Sequence, residues 1–179
     1  MSANQWSEKL CGKVPLFDGL TSEQCQQVLS LAEETSFKAG DLIVEQGREL
    51  PQLWILIEGE VEVFRQVDPK DPKNLLTLAT LAPHANFGEM SFFHPAPHSA
   101  NVRAKSAVKL LRIDRPPFDE LMRRESVAAY KIAANTVQTL AERMRRMDLW
   151  VTELMVQNKP RQVNEWNQLR EQLFDKWTL

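Results

Sequence analysis

The residues best suited to ligand chemistry lie in the segment 87–104. Gly88 has no Cβ, so a ligand or another stretch of backbone can approach it closely. Glu89 follows directly and can accept two hydrogen bonds from a diol. The amides of Met90 and Ser91 come next, and amides in a short turn or at a helix start can face an anion. A tight turn with an exposed glutamate is the simpler interpretation of the same residues.

The histidines of the chain do not have the spacing of a metal site. A metal-dependent cupin barrel needs a His-x-His pair with a distant Glu and His, and His84, His94 and His98 do not provide it. Pro95 and Pro97 also prevent His94 and His98 from sharing a helical face. No pair of carboxylates and no Ser/His/Asp set stands out either. We therefore expect neither an enzyme nor a bound metal.

Composition places the chain among ordinary globular proteins. Its 179 residues are 43% hydrophobic and 26% charged, which suits one domain with an appendage. The net charge of −2 gives no global field that would attract nucleic acid or an anionic membrane. Cys11 and Cys25 fit no metal spacing, and we interpret Cys25 as a small core residue. Without a signal peptide or long apolar run, we expect a cytoplasmic protein with free thiols.

The elements around the candidate residues are short strands separated by turns. A helix is predicted over residues 2–11, and a second helix begins at Thr21, which forms a capping box with Gln24. Asp68 to Asn74 is a polar, proline-rich loop. Strands are predicted at 42–44, 53–57, 61–64, 75–81, 99–104 and 108–113. This pattern predicts a sandwich or barrel of antiparallel strands.

Helices follow the strands. Asp114 is expected to cap a short helix with Pro116 and Pro117 in its first turn. A long helix is predicted over residues 126–158, where apolar positions alternate by three and four as in a coiled-coil seam. We define the seam as Tyr130, Ala133, Val137, Leu140, Met144, Met147, Val151 and Leu154. The seam favours a homodimer, and a helix packed on its own barrel is the alternative.

The last stretch of the chain has an apolar face of its own. Pro160 ends the long helix, and apolar residues then recur at three- and four-residue spacing, namely Val163, Trp166, Leu169, Leu173, Phe174 and Trp177. We expect this amphipathic helix to pack on the long helix, on its partner or on another protein, because such a face is too apolar to be left in water. The face of Trp166, Leu173 and Trp177 is therefore a candidate surface for a protein partner.

Segment 87–104 resembles the phosphate-binding cassette of the cyclic nucleotide-binding domain family. That pattern runs Phe-Gly-Glu, a short helical turn, Arg-Ser/Thr-Ala and a Val-Arg-Ala strand. The residues that fit are Phe87, Gly88, Glu89, Ser99, Ala100, Val102, Arg103 and Ala104. His98 stands where the family has Arg. The family also places glycines at the turns where this chain has Gly40, Gly47, Gly59 and Gly88, and the resemblance extends over about residues 16–121.

The resemblance implies a mainly β fold with flanking helices. It implies a jelly-roll-like β-barrel with N-terminal helices over residues 1–125. A helical region would follow over 126–179, with a long dimer-type helix to about 158 and then a shorter amphipathic helix. In the family the Gly and Glu meet the ribose hydroxyl, the Arg and the next residue hold the cyclic phosphate, and bacterial members pair through the helix after the barrel. The implied ligand-binding residues are Phe87, Gly88, Glu89, Met90, Ser91, His98, Ser99 and Ala100.

His98 determines the functional prediction. An arginine grips a phosphate with a planar fork and a permanent charge, whereas a histidine is shorter and mostly neutral at pH 7. Losing one hydrogen bond to a charged group weakens binding by about 10- to 100-fold. We predict a non-catalytic regulatory or sensor protein, without a cofactor, that binds cAMP, cGMP or a related phosphate-containing ligand with weakened affinity.

A degenerate domain is the alternative. It would bind no nucleotide and would serve as a dimerisation or protein-interaction module, with Met90, Phe92 or Phe93 turned inward to fill the pocket.

DNA binding is not expected. Many bacterial members of the family carry a winged helix-turn-helix after the dimer helix, but the 19 residues that follow Pro160 are too few for one. Arg143, Arg145 and Arg146 form the only local basic cluster, and arginines beside a seam are usually its solvated flank. We therefore expect neither DNA nor a membrane as a partner.

Overall fold

The fold is built from eight strands and five α-helices within residues 3–68, 71 and 74–157, which the computed structural model describes. The helices are α1 (Ala3–Leu10), α2 (Ser22–Leu29), α3 (Glu89–Phe93), α4 (Arg115–Arg123) and α5 (Val127–Gln157), and a 3-10 turn covers Pro15–Phe17. The strands are β1 (Ala32–Phe37), β2 (Leu42–Val44), β3 (Gln52–Glu58), β4 (Val61–Gln66), β5 (Leu75–Leu81), β6 (Asn86–Phe87), β7 (Asn101–Ala104) and β8 (Val108–Asp114). The predicted amphipathic helix after Pro160 lies outside the described residues.

The strands form two antiparallel sheets of four strands each, in the orders β1-β8-β3-β6 and β2-β7-β4-β5. β3 pairs with both β8 and β6, and β4 pairs with both β5 and β7. Non-consecutive strands are thus neighbours in both sheets, as in a jelly roll. The predicted fold class, a jelly-roll-like β structure followed by a long helix, is confirmed.

β3 explains why the run Leu-Trp-Ile-Leu is apolar without interruption. Successive side chains of a strand point to opposite faces. Leu53 and Ile55 therefore join a cluster with the helices, whereas Trp54 and Leu56 join a second cluster that includes Val61 of the other sheet. All four β3 side chains are buried. A strand buried on both faces reads as a continuous hydrophobic run rather than as an alternation.

The N-terminal helices pack as the sequence predicted. Trp6 is buried, as is Leu10 one turn later, because both lie on one face of α1. The capping box is confirmed: Thr21 Oγ1 accepts from the Gln24 amide at 3.2 Å, and Gln24 Oε1 accepts from the Thr21 amide at 3.1 Å. Each bond satisfies an amide that the helix itself leaves without a partner.

The expectation of free thiols is wrong. Cys25 is fully buried, as predicted, but the structure joins it to Cys11 in a disulfide that links the end of α1 to α2. The sequence separation of 14 did not reveal the pair, because the two sulfur atoms meet only after the helices pack. In the loop-entropy account, a disulfide that closes a loop of this size adds about 3 kcal/mol of stability.

Two further local predictions differ from the structure. β1 was not predicted, because Ala-Glu-Glu-Thr-Ser-Phe has no apolar alternation; it forms by pairing with β8. Asp114 does precede α4, but its side chain makes no cap hydrogen bond. Its carboxylate instead accepts from Gln52 Nε2 at 3.0 Å and lies 3.3 Å from an Arg112 nitrogen, because those residues flank it across and along the sheet.

The chain divides into two units between Thr136 and Val137, inside α5. The first unit holds both sheets, α1 to α4 and the first turns of α5. In it, Ala128, Ala129 and Ile132 are buried in the cluster formed by the helices and β3. Within the described residues, the second unit consists of the remainder of α5.

Two glycines provide a matched test of the turn between β3 and β4. Gly59 and Gly47 share a φ of +85°, but a Cβ would overlap the Ala107 carbonyl oxygen at Gly59 and would meet nothing within 4 Å at Gly47. We expect Gly47→Ala to lower the free energy of unfolding by about 1 kcal/mol, the ordinary cost of a left-handed residue. Gly59→Ala should lower it by roughly 3 kcal/mol, because the backbone must also shift. Urea denaturation measures both, and equal losses would contradict the overlap.

Candidate functional site

Gly88 begins the candidate site at a position that only glycine fits. It is the residue before α3, and its backbone is left-handed with φ 85° and ψ 0°. A Cβ there would overlap the carbonyl oxygen of Gln52 and would lie 3.3 Å from Cδ1 of Trp54. The sequence allowed either a ligand or another stretch of backbone to approach Gly88. In the structure, the backbone of β3 occupies the space beside it.

An aromatic pair holds the preceding residue. Phe87 pairs with Trp54 across the sheet, and their rings stack with centroids 6.2 Å apart. Both side chains are buried in the cluster between the sheets. The indole Nε1 of Trp54 is buried without a hydrogen-bond partner among the described residues. Packing, rather than hydrogen bonding, therefore positions Trp54 against the start of α3.

α3 turns its polar side chains in and one apolar side chain out. Glu89 and Ser91 are each 3% exposed, whereas Met90 is 56% exposed. The simpler interpretation of the sequence, a turn with an exposed glutamate, is therefore wrong. The Glu89 side chain is therefore nearly closed to solvent in this structure.

The two phenylalanines of α3 pack on α4. Phe92 is fully buried, and its ring lies edge-on to Phe118 with centroids 5.2 Å apart. Phe93 lies edge-on to Phe118 at 5.8 Å. Arg115 fixes the arrangement, because its guanidinium donates to the Phe92 carbonyl and lies 5.7 Å from the Phe92 ring centre. Both rings thus contribute to the helix-side cluster and not to the cluster between the sheets.

The loop from His94 to Ala100 is fastened to the turn after β2. The His98 amide donates to the Arg48 carbonyl at 2.8 Å, and the Gly47 amide donates to the His98 carbonyl at 2.9 Å. Next to them, the Gln46 amide donates to Oδ1 of Asn101 at 2.9 Å. These bonds set the position of His98, which is only 7% exposed.

Burial lowers the pKa of His98. Loss of hydration disfavours the charged imidazolium, and a hydrogen bond between the ring and the Leu50 backbone opposes that effect only in part. Since the bond favours the protonated form, the backbone carbonyl is the acceptor and the ring is the donor. At neutral pH, His98 therefore fastens the loop as an uncharged donor and does not present a cation.

The sequence-predicted residues fall into two groups in the structure, and they differ in how exposed their side chains are. Phe87 to Ser91 form one continuous turn, and His98 to Ala100 form the bend before β7. Ser99 is exposed, and Ala100 is partly buried. Sequence reasoning missed Gln52 and Trp54, the neighbours of Gly88. No local signal marks them, because their contact depends on strand register.

Two absences hold for the part of the chain that the structure describes. No three His, Cys, Asp or Glu side chains there are grouped so that they could hold a metal ion. No helix there has both the length and the hydropathy that a membrane span requires.

The sequence matches the cyclic nucleotide-binding domain family over residues 34–125, more than half of its length. The chain belongs to this family. The match covers all strands from β2 to β8 together with α3 and α4, and so includes the whole candidate site.

Two curated proteins and one solved structure are examples of what this chain is similar to. The cyclic AMP receptor protein of Thermus thermophilus is 33% identical over 135 residues, which are 75% of this chain and 59% of that protein. The cAMP-dependent protein kinase regulatory subunit of Schizosaccharomyces pombe is 29% identical over 115 residues, 64% of this chain and 26% of that protein. A cyclic nucleotide-binding domain from Methylobacillus flagellatus KT shares the fold, with a TM-score of 0.74, 21% identity and coverage of 86% of both chains. The chain thus spans about a quarter to three fifths of these two curated relatives.

The family's Val-Arg-Ala strand corresponds to β7, and its arginine serves the sheet here. Arg103 lies 2.6 Å from a Glu62 carboxylate oxygen on β4 and 4.8 Å from the Phe64 ring centre. Hydrogen bonds from Thr77 and Arg103 hold the pKa of Glu62 below its ordinary value of 4.5. Arg103 therefore joins the neighbouring strands β7 and β4.

The buried His98 makes stability of this cyclic nucleotide-binding domain depend on pH. Its pKa in the folded protein lies below the ordinary 6.5, so between those two values the unfolded chain binds more protons than the folded one. Stability is therefore full above about pH 6.5 and falls as the pH drops through this window. Glu62 does not interfere, because its stabilisation is lost only below pH 4.5.

Urea denaturation at about pH 7.5 and 5.5 measures this dependence. We expect His98→Gln to reduce the difference in unfolding free energy between the two pH values, because glutamine does not titrate. His94→Gln, in the exposed part of the same loop, is the control and should leave the difference unchanged. An unchanged difference in His98→Gln would contradict the assignment.

Proposed function

We propose that this chain is a non-catalytic regulatory domain that binds cAMP, cGMP or a related phosphate-containing ligand at the turn Phe87 to Ser91 and the bend His98 to Ala100. The observation that carries the proposal is the backbone conformation of this segment. Gly88 is left-handed and directly precedes α3, Glu89 is the first residue of the helix, and the bend before β7 is fastened by hydrogen bonds. The relatives named for cyclic AMP support the choice of ligand.

The packing of α3 favours this proposal over a degenerate domain. The alternative predicts that Met90, Phe92 or Phe93 fills the ligand pocket. Met90 is 56% exposed, and both phenylalanines pack on Phe118. None of the three belongs to the cluster between the sheets. These three side chains therefore do not fill the space between the sheets.

His98 accounts for the predicted weakness of binding. A neutral ring whose N–H is engaged by the Leu50 carbonyl adds neither charge nor a free fork of donors to a phosphate. The remaining groups are uncharged apart from Glu89: the hydroxyl of Ser99 and the amides at the start of α3. We therefore place the affinity about 10- to 100-fold below that of a site with arginine at position 98.

Titration calorimetry with His98→Arg tests the role of position 98. We expect the variant to bind cAMP or cGMP about 10- to 100-fold more tightly than the wild type, because it adds a permanent cation and paired donors. His94→Arg adds the same charge four residues earlier, on an exposed side chain, and should leave the affinity nearly unchanged. A thermal melt of each variant separates weak binding from loss of the fold.

Two outcomes would count against ligand binding. No heat from wild type and His98→Arg at millimolar nucleotide, at pH 6 and pH 8 alike, would favour the degenerate domain. Equal tightening by both arginines would show that the added charge acts through the general field and not through the bend.

We also propose that the chain forms a homodimer through the α5 seam. Tyr130, Val137, Met144 and Met147 are 51%, 65%, 51% and 56% exposed, which leaves apolar side chains in water along one stripe of the helix. In the first turns of α5, the side that includes Ala128 and Ile132 is the buried one, so Tyr130 is not needed for the core. A second copy of the same helix would cover the stripe in knobs-into-holes contact.

A charge in the seam should separate the dimer. We expect wild-type protein to elute as a dimer in size exclusion with light scattering. Met144→Glu should elute as a monomer, because the pairing would bury two like charges at one level of the seam. Gln138→Glu places the same charge on an exposed position beside the seam and should remain dimeric. A monomeric wild type, or equal effects of both variants, would contradict the seam.

A further inference from the structure

The disulfide encloses a segment that does more than connect two helices. Cys11 directly follows α1 and Cys25 lies within α2, so their bond closes residues 11–25 into a loop. Besides Cys25, the loop contains the 3-10 turn and three fully or nearly buried side chains, Val14, Leu16 and Phe17. These side chains and Cys25 belong to the same cluster as the first turns of α5.

Asn135 of α5 binds the backbone of this loop twice. Its Nδ2 donates to the Leu16 carbonyl at 3.0 Å and to the Asp18 carbonyl at 2.9 Å. Both carbonyls lie where the 3-10 turn ends, so they have no helical partner further along the chain. The amide side chain satisfies two acceptors at once and ties α5 to the turn.

Lys131, one turn earlier in α5, binds the same loop at two other points. Its Nζ donates to the Gly19 carbonyl at 2.6 Å and to Gln24 Oε1 at 3.0 Å. The acceptors of these four bonds all lie between the two half-cystines. The positions of these acceptors are restricted by the covalent closure of the loop.

The two cysteines differ in access. Cys25 is fully buried, whereas Cys11 is partly exposed. A thiolate from solution can therefore attack only at Cys11 without opening the core. The Sγ of Cys11 also lies 3.7 Å from the Leu20 carbonyl, which a reduced thiol at this position can use as an acceptor.

We propose that the Cys11–Cys25 disulfide is a redox latch that holds the 11–25 loop in the form to which Lys131 and Asn135 of α5 bind, and that its reduction by a dithiol loosens the first turns of α5. The latch acts on residues 127–136, which belong to the same unit as the loop. The predicted effect of reduction on these residues does not depend on whether a nucleotide binds to the protein.

The reduction is a two-step exchange. A thiolate of the dithiol attacks Cys11 Sγ, forms a mixed disulfide and releases Cys25 as a thiolate, which takes up a proton. The second thiol of the reagent loses its proton and attacks the mixed disulfide, which forms the cyclic oxidised reagent and releases Cys11 as a thiol. The cysteines gain two electrons and two protons, and the dithiol loses the same number.

Hydrogen exchange of the full chain, oxidised and then reduced with dithiothreitol, tests the latch by mass spectrometry. We expect amides of residues 127–136 to exchange on the order of tenfold faster in reduced protein, because this part of α5 opens more often. Amides of β3, which is buried on both faces, should exchange at the same rate in both states. Cys11→Ser should behave as reduced wild type and should not respond to dithiothreitol.

A second variant separates the latch from a general effect of the disulfide. In Asn135→Ala, oxidised protein should already exchange faster over 127–136, and reduction should add less than it adds in wild type. Equal rates in oxidised and reduced wild type would overturn the proposal. An equal acceleration of exchange in β3 would also overturn it, since the bond would then stabilise the whole fold uniformly. Two alkylatable thiols after equilibration with oxidised glutathione would overturn it as well, since the bond would then not form.

Discussion

Strand β3 is the element on which both hydrophobic clusters depend, because each of its two faces is buried in a different cluster. Leu53 and Ile55 face the helices, and Trp54 lies between the sheets. The carbonyl of Gln52, at the start of the same strand, occupies the space beside Gly88. A five-residue helix such as α3 has little stability of its own. The candidate site therefore takes its geometry from β3 and not from the helix that carries Glu89.

The other half of the site is positioned by hydrogen bonds and not by packing. His98 exchanges backbone bonds with Gly47 and Arg48, and its ring donates to Leu50. Three contacts to one short turn use most of the hydrogen-bonding capacity of this residue. Its buried ring thus contributes to loop geometry. The backbone bonds of His98 help to set the position of the adjacent Ser99.

The sequence was sufficient to predict those parts of the fold that depend on local pattern. Turn glycines such as Gly59 and the apolar run of β3 located the strands, and the Thr21 capping box located α2. Contacts that depend on register or on packing could not be predicted. The pairing of polar β1 with β8, the Gln52 carbonyl beside Gly88 and the Cys11–Cys25 bond all join residues whose sequence neighbourhoods carry no matching signal.

In the candidate site, the sequence identified the segment but not the state of its side chains. Segment 87–104 was found because glycine, glutamate and a Ser-Ala pair stand at the family's spacing. The enclosure of Glu89 and the neutral, loop-binding ring of His98 are consequences of burial, which a residue type alone does not reveal. The resemblance points to a candidate segment, and the three-dimensional surroundings determine the exposure and charge of its side chains.

Gln24 shows how closely two distant parts of the chain are joined. Its side-chain oxygen accepts from the Thr21 amide in the capping box and from Lys131 of α5, 107 residues away in sequence. The atom that secures the first turn of α2 is thus also an anchor of α5. Fraying of the first turn of α2 removes a hydrogen-bond partner from α5, and fraying of the first turns of α5 removes one from α2. The two helix ends should therefore open together as one cooperative folding unit. A free-energy change measured at Gln24 alone cannot be divided between the two helices.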